Sequence, residues 1–297
     1  MGYGNWTRES FIDYSASKGR QVTKDGSLDR NLTEQQLFTQ RRLHPMLDPK
    51  NVMRECRDSA DHPETVPVIL ALDVTGSMGA ASAEVAKKMN QVMLTLYDRI
   101  RDVEFMVMGI GDLSYDRAPI QMSQFESDIR IAEQLDMVYM EHGGGGNAFE
   151  SYTAAWYMGL NHTDLDAWKR GRKGLIITMG DEPLNPYLPA RPLEVAVGDS
   201  LQADVETRSL YAEASRKFDI YHIHVLHGQR NRYWDQVRSS FGKQLPSGHL
   251  ISVDVEGIPD ALIRVIEEHA KKRGSVIIDS APAEAKTDRG FWHLFSW

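Results

Sequence analysis

Three things are scarce in this chain of 297 residues. It has a single cysteine, Cys56, which excludes an internal disulfide and a thiolate zinc site. It has no basic excess: 42 acids against 34 bases leave a formal charge of −8, so the cationic face of a nucleic-acid binder is not expected. No apolar run approaches the ~18 residues of a membrane span. The opening residues MGYGNWTRES lack the basic and apolar regions of a secretory signal. These absences set the expectation of a cytoplasmic protein with neither a nucleic-acid nor a membrane partner. The Asn-x-Thr triplets at Asn5, Asn31 and Asn161 are then chance matches. Composition itself is ordinary, 41% hydrophobic and 26% charged, as in globular domains.

Residues 1–65 stand apart. They hold 19 hydrophobic residues by count, and 10 acids balance 10 bases. Such a stretch is too poor in apolar surface to bury its own core, so it is expected to be an extension packing on the main domain. Thr33 and Gln36 have capping-box spacing, which predicts a helix from Glu34 to about His44, stopped near Pro45.

From residue 66 to 272 strands and helices alternate. Val66–Leu72, Val103–Ile110, Gly174–Met179, Ile220–Leu226 and residues 249–254 read as strands, the first a continuous apolar run suited to burial on both faces. Residues 117–122 read as a short edge strand. Ser82–Ile100 places Val85, Met89, Val92, Met93 and Leu96 on one helical face. Ser123 and Glu126 suggest a second capping box, opening a helix to about Leu135. Further helices are expected from Ala148 to about Leu160, near 204–217, near 233–241 and at 259–272. Four prolines in 182–202 suggest a long irregular connection. The pattern is that of a Rossmann-like, doubly wound α/β fold: a mostly parallel central sheet, one antiparallel edge strand, and helices on both faces. Residues 273–297 form a tail ending in FWHLFSW, either packed in a groove on its own domain or serving as a docking peptide.

In such a sheet ligands gather at the carboxyl ends of the strands. After the first strand comes Asp73-Val74-Thr75-Gly76-Ser77-Met78, whose alternate side chains offer a carboxylate and two hydroxyls. After the third strong strand comes Gly180-Asp181-Glu182. Between them lies Gly143-Gly144-Gly145-Gly146-Asn147-Ala148-Phe149-Glu150-Ser151. An all-oxygen set with few acids suits a hard cation, Mg²⁺ or Mn²⁺. A glycine loop lets the backbone pass close to it.

Over roughly residues 66–272 these motifs resemble the von Willebrand factor type A, or integrin I-like, domain and its metal-ion-dependent adhesion site (MIDAS). The family pattern is Asp-x-Ser-x-Ser after the first strand, a Thr after a Gly-Gly loop, and an Asp after the fourth strand. DVTGSM matches the first element, with Thr75 in place of the first Ser, and Asp181 matches the third. The resemblance implies that Thr75 and Ser77 bind the metal directly, that Asp73 and Asp181 act mostly through water, and that one position is left for a partner's carboxylate. The second element departs from the pattern. No Gly-Gly-Thr is present, and Asn147, Glu150 and Ser151 are the candidates for the missing ligand. The function implied is a non-catalytic, divalent-metal-dependent adaptor that binds another protein, such as an AAA-type ATPase or a multi-protein assembly.

Rival readings remain at this stage. DVTGSM is also similar to the phosphorylated-aspartate motif of haloacid-dehalogenase-like enzymes, which would make Asp73 the nucleophile of a Mg²⁺-dependent phosphohydrolase. The usual second acid after Gly180-Asp181 is missing, since Leu184 and Asn185 stand there. The aspartic-protease signature is excluded by Val74 and by its single copy. Asn147 and Glu150 have the spacing of a capping box, so Glu150 is either a helix cap or a metal ligand. Asp112 and Asp116 read as turn residues, His222 and His224 as one face of a strand, and Cys56 as a small buried residue.

Overall fold

The computed structural model describes residues 4–141, 149–226 and 234–274. Its centre is a six-stranded sheet: β1 (Val66–Asp73), β2 (Val103–Ile110), β3 (Ile120–Met122), β4 (Gly174–Gly180), β5 (Phe218–Leu226) and β6 (Leu250–Asp254). The spatial order is β6-β5-β4-β1-β2-β3. Every neighbouring pair is parallel except β2 with β3. The expected doubly wound sheet with one antiparallel edge is therefore present.

The helices of six residues or more among the described residues are α1 (Arg8–Ser17), α2 (Gly79–Tyr97), α3 (Arg130–Leu135), α4 (Thr153–Asn161), α5 (Ala190–Val197), α6 (Thr207–Lys217), α7 (Trp234–Gly242) and α8 (Ile258–Arg273). The two-residue period of β1 divides the interior. Val66, Val68, Leu70 and Leu72 join the apolar layer under α2 and α8. Ile69 and Ala71 join the layer under α4 and α6. With both faces covered, all eight residues of β1 are buried, which is why this stretch reads as an unbroken apolar run.

The N-terminal segment contributes to the first layer. Trp6, Phe11, Leu28, Leu37 and Leu47 belong to the same apolar cluster as α2 and β1. The Trp6 indole N–H donates to Asn90 Oδ1 on α2 at 2.9 Å. Arg20 donates to Asp136 at 2.8 Å, and the Tyr14 hydroxyl donates to the same carboxylate. Arg54–Cys56 adds a parallel pair with Thr163–Leu165.

Several boundaries differ from the sequence expectation. The capping box of Thr33 and Gln36 forms, but its helix lasts only from Glu34 to Leu37, because Phe38 turns extended and both Leu37 and Phe38 enter the core. The helix expected to open after Ser123 starts only at Arg130. Glu126 is drawn instead into two backbone hydrogen bonds with Phe105 of β2. The connection 182–202 is not irregular throughout. It holds Tyr187–Leu188, paired with Val205–Glu206, and then α5. Pro189 is the N-cap of α5, and Pro192 lies in its first turn, where no intrahelical N–H is needed. Gly198, with φ of 86°, ends α5 in the left-handed region. The FWHLFSW tail lies outside the described residues.

Candidate functional site

The carboxyl ends of β1 and β4 lie side by side, and each delivers an acid. Asp73, the last residue of β1, is fully buried. Its Oδ1 accepts from the Thr75 backbone N–H at 2.9 Å and from the Thr75 hydroxyl at 2.5 Å. Its Oδ2 accepts from the Tyr152 hydroxyl at 2.8 Å. Ser77, exposed in the turn before α2, donates to Asp181 Oδ1 at 3.1 Å. Hydrogen bonds thus pair Asp73 with Thr75 and Ser77 with Asp181, and the Asp181 charge is close enough to act on Asp73.

Tyr152 occupies this place because Gly180 leaves room for it. A Cβ built on Gly180 would stand 2.0 Å from the Tyr152 hydroxyl oxygen. The same oxygen accepts from the Glu182 N–H at 3.2 Å, so Tyr152 ties the ends of β1 and β4 together. Nothing in the sequence pattern marked it.

Glu150 does not cap a helix. The N-cap of α4 is Tyr152, without a side-chain cap, and Glu150 forms a parallel bridge with Leu184. The capping reading is therefore overturned, since the chain is held extended against the loop after β4. The Glu150 side chain is buried and its Oε2 has no hydrogen-bond partner. Ser151 Oγ accepts from the Leu113 N–H at 3.0 Å, which commits it to the loop after β2. Asn147 and the four glycines lie outside the described residues.

That loop brings further acids. Asp112 Oδ1 accepts from Ser114 N–H at 2.7 Å, and Asp116 Oδ2 accepts from Asp112 N–H at 2.7 Å. Both are turn residues in this sense, yet both also act on Glu150. Burial first, and then the charges of Asp73, Glu182, Asp116 and Asp112, hold the Glu150 carboxyl far above the usual carboxylate range. Burial raises Asp73 as well, against the hydrogen bonds from Thr75 and with reinforcement from the Asp181 charge. Burial and the charges of Asp73 and Asp181 push Glu182 up to about 7. Asp116 is pushed up to about 6, chiefly by burial.

This arrangement fits a hard cation. The buried oxygens Glu150 Oε2, Asp112 Oδ2 and Glu182 Oε2 all lack hydrogen-bond donors. The largest charge effects on Glu150 all come from acids. Carboxylates crowded in this way favour a cation that replaces their lost hydration. Among the described residues, no group of three or more His, Cys, Asp or Glu could hold a metal ion; the hydroxyls of Thr75 and Ser77 are further oxygen donors bonded to these acids. His222 and His224 belong to the core. Both are fully buried, and the His222 ring stacks on Phe241 with centroids 3.8 Å apart. Cys56 is buried too, and its thiol donates to Glu104 at 3.1 Å.

Strand order, the antiparallel edge and the Asp73–Thr75–Ser77 turn at the end of β1 together describe a von Willebrand factor type A-like fold. No family model matches the sequence, and no curated protein matches it. Among solved structures the chain is similar to the pilus adhesin SpaC from Lactobacillus rhamnosus GG, in its open conformation. The TM-score is 0.47 and the identity 14%, covering 75% of this chain and 31% of that one. It is also similar to the vWF domain of the type V pili tip protein Mfa5 from Porphyromonas gingivalis. There the TM-score is 0.44 and the identity 12%, over 70% of this chain and 96% of that one. The chain thus spans about a third of the length of SpaC.

Proposed function

We propose that this chain is a non-catalytic protein-binding module whose site takes one hard divalent cation, Mg²⁺ or Mn²⁺. Thr75 and Ser77 would offer their hydroxyls, with Asp73 and Asp181 behind them, and Glu150 would supply the acid from the loop before α4. Glu150 is preferred to Ser151 because Ser151 Oγ is already engaged with Leu113, whereas Glu150 Oε2 has no partner. The cation would supply an electrophilic position for a partner's oxygen ligand. The observation that carries this reading is the grouping of acids around the partnerless Glu150 Oε2, with Thr75 bonded to Asp73 and Ser77 to Asp181, at the carboxyl end of a parallel sheet.

A non-catalytic role is favoured over an Asp73-dependent phosphohydrolase by the setting of Asp73. A nucleophilic carboxylate needs an oxygen open to the substrate. Here Asp73 has no exposed surface, and Thr75 and Tyr152 hold both of its oxygens.

Calorimetry of the full chain with Mg²⁺ or Mn²⁺ tests the proposal. One binding event is expected for the wild type, lost in Asp73→Asn, with no turnover of an aryl phosphate in either protein. Absence of a binding heat together with an unchanged melting temperature would refute the site. Mg²⁺-dependent phosphate release that Asp73→Asn abolishes would move the chain to the phosphohydrolase class.

A further inference from the structure

A trough of about 460 Å³ lies beside the acidic cluster, between the β3 edge of the sheet and α5. Its lining is mostly apolar and includes Leu43, Leu113, Pro119, Ile120, Pro192 and Val195. Val195 is 63% exposed, whereas Leu193 and Val197 on the other side of the same helix are fully buried. So α5 fastens one face to the core and offers an apolar residue to the trough.

The charged residues of this lining are unevenly used. Asp48 accepts from the Lys50 backbone N–H at 3.0 Å, and Asp116 from the Asp112 N–H. Both acids are thereby engaged by their own turns. Three cations, Lys50, Arg117 and Arg191, also line the trough. Arg191 has only Glu194 nearby, at 3.6 Å, with its side chain 86% exposed. Lys50 and Arg117 make no ion pair among the described residues. Against the two acids the three cations leave the lining a small positive excess on a molecule of net charge −8, and such a local excess favours an anionic group in what docks there.

We propose that the trough binds an extended segment of a partner protein in which apolar side chains flank an acidic residue. The apolar lining would bury the former, and Lys50, Arg117 and Arg191 would receive the latter. A protein segment is favoured over an isolated small acid by continuity with the cluster. Asp116 lines the trough and also acts on Glu150, and Leu113 lines the trough and bonds to Ser151. A segment lying in the trough would therefore run up to the edge of the candidate cation site. The trough's chemistry does not itself require the cation.

The test uses the full chain and three fluorescein-labelled, capped peptides, read by anisotropy at low salt. Their sequences are Leu-Glu-Leu-Pro-Leu, Leu-Lys-Leu-Pro-Leu and Ser-Glu-Ser-Pro-Ser. The first is expected to bind at least about tenfold more tightly than the other two. Val195→Asp, at an exposed position that leaves folding intact by circular dichroism, is expected to weaken it by about tenfold or more, as is Arg117→Glu combined with Arg191→Glu. Equal binding of the Glu and Lys peptides would overturn the proposal. So would no binding at about 1 mM, insensitivity to the variants, or binding of decanoate in the trough without the peptide. Mg²⁺ calorimetry on the same samples reports separately on the cation site: its failure with peptide binding retained removes only the metal, and the reverse removes only the trough.

Discussion

Glu150 shows what a single residue's setting adds to its spacing. Three residues after Asn147 and near the start of a helix, it has the spacing of a cap. The structure instead starts α4 at Thr153 and leaves Glu150 Oε2 buried without a partner. Spacing along the chain cannot reveal that Leu184 pairs with this residue from the far side of β4. Replacing the charge separates two quantities. In the cation-free chain, Glu150→Gln removes a carboxyl that folding holds against ionisation, so its melting temperature at neutral pH is expected to rise. For a chain of this size each kcal/mol corresponds to about 2–4 °C. The same change is expected to weaken Mg²⁺ binding, because an amide oxygen carries no charge. Thermal scans in EDTA and calorimetry with Mg²⁺ check the two halves. A variant that is less stable and binds Mg²⁺ like the wild type would return Glu150 to a structural role.

At the scale of elements, the main strands were legible because each is an apolar run with flanking turn residues. The first two strands emerge as unbroken buried runs, and the face of α2 from its helical period. The short edge strand β3 was legible too, but two short helices were not, since tertiary contacts set their ends: Leu37 and Phe38 stop one, and Phe105 delays the other. The motif residues Asp73, Thr75, Ser77 and Asp181 could be found from their place after strands. Tyr152 could not, for its role depends on a gap in β4. Gly180 makes that gap. In Gly180→Ala the new methyl would meet the Tyr152 hydroxyl oxygen at 2.0 Å, so Tyr152 must leave Asp73 or β4 must shift. A loss of about 1–3 kcal/mol is expected, measured by urea denaturation. Adding Tyr152→Phe is not expected to recover it, since two ring carbons would still lie 2.4 and 2.5 Å from the methyl. Equal stability of wild type and Gly180→Ala would contradict this packing.

Over the whole molecule, the low apolar content of residues 1–65 conceals how much of that segment enters the shared core. Trp6 is 4% exposed and hydrogen-bonded to α2. Trp6→Ala is expected to cost about 3–5 kcal/mol in a single cooperative transition that includes the sheet. A separate early transition, with the main transition unchanged, would show an independent N-terminal unit.

The acids at the carboxyl end of the sheet tie global stability to pH. Glu182 ionises near 7 when folded against an ordinary 4.5. Between those values the folded chain keeps a proton that the unfolded chain has released, so stability falls as pH rises through that window and stays lower above it. Glu150 and Asp73 are shifted in the same direction and deepen the fall. A divalent cation reverses the balance. It favours the ionised carboxylates, so its binding expels protons and tightens as pH rises. Because the cation binds the folded chain, it also raises the melting temperature. The expected pattern is a melting temperature in EDTA that drops from about pH 5 to about pH 8, and a Mg²⁺-induced rise that is larger at the higher pH. Calorimetry in two buffers of different ionisation enthalpy should show protons released on Mg²⁺ binding at neutral pH. A stabilisation by Mg²⁺ that is larger near pH 5, or a binding heat independent of buffer, would mean that the ion sits away from these carboxyls.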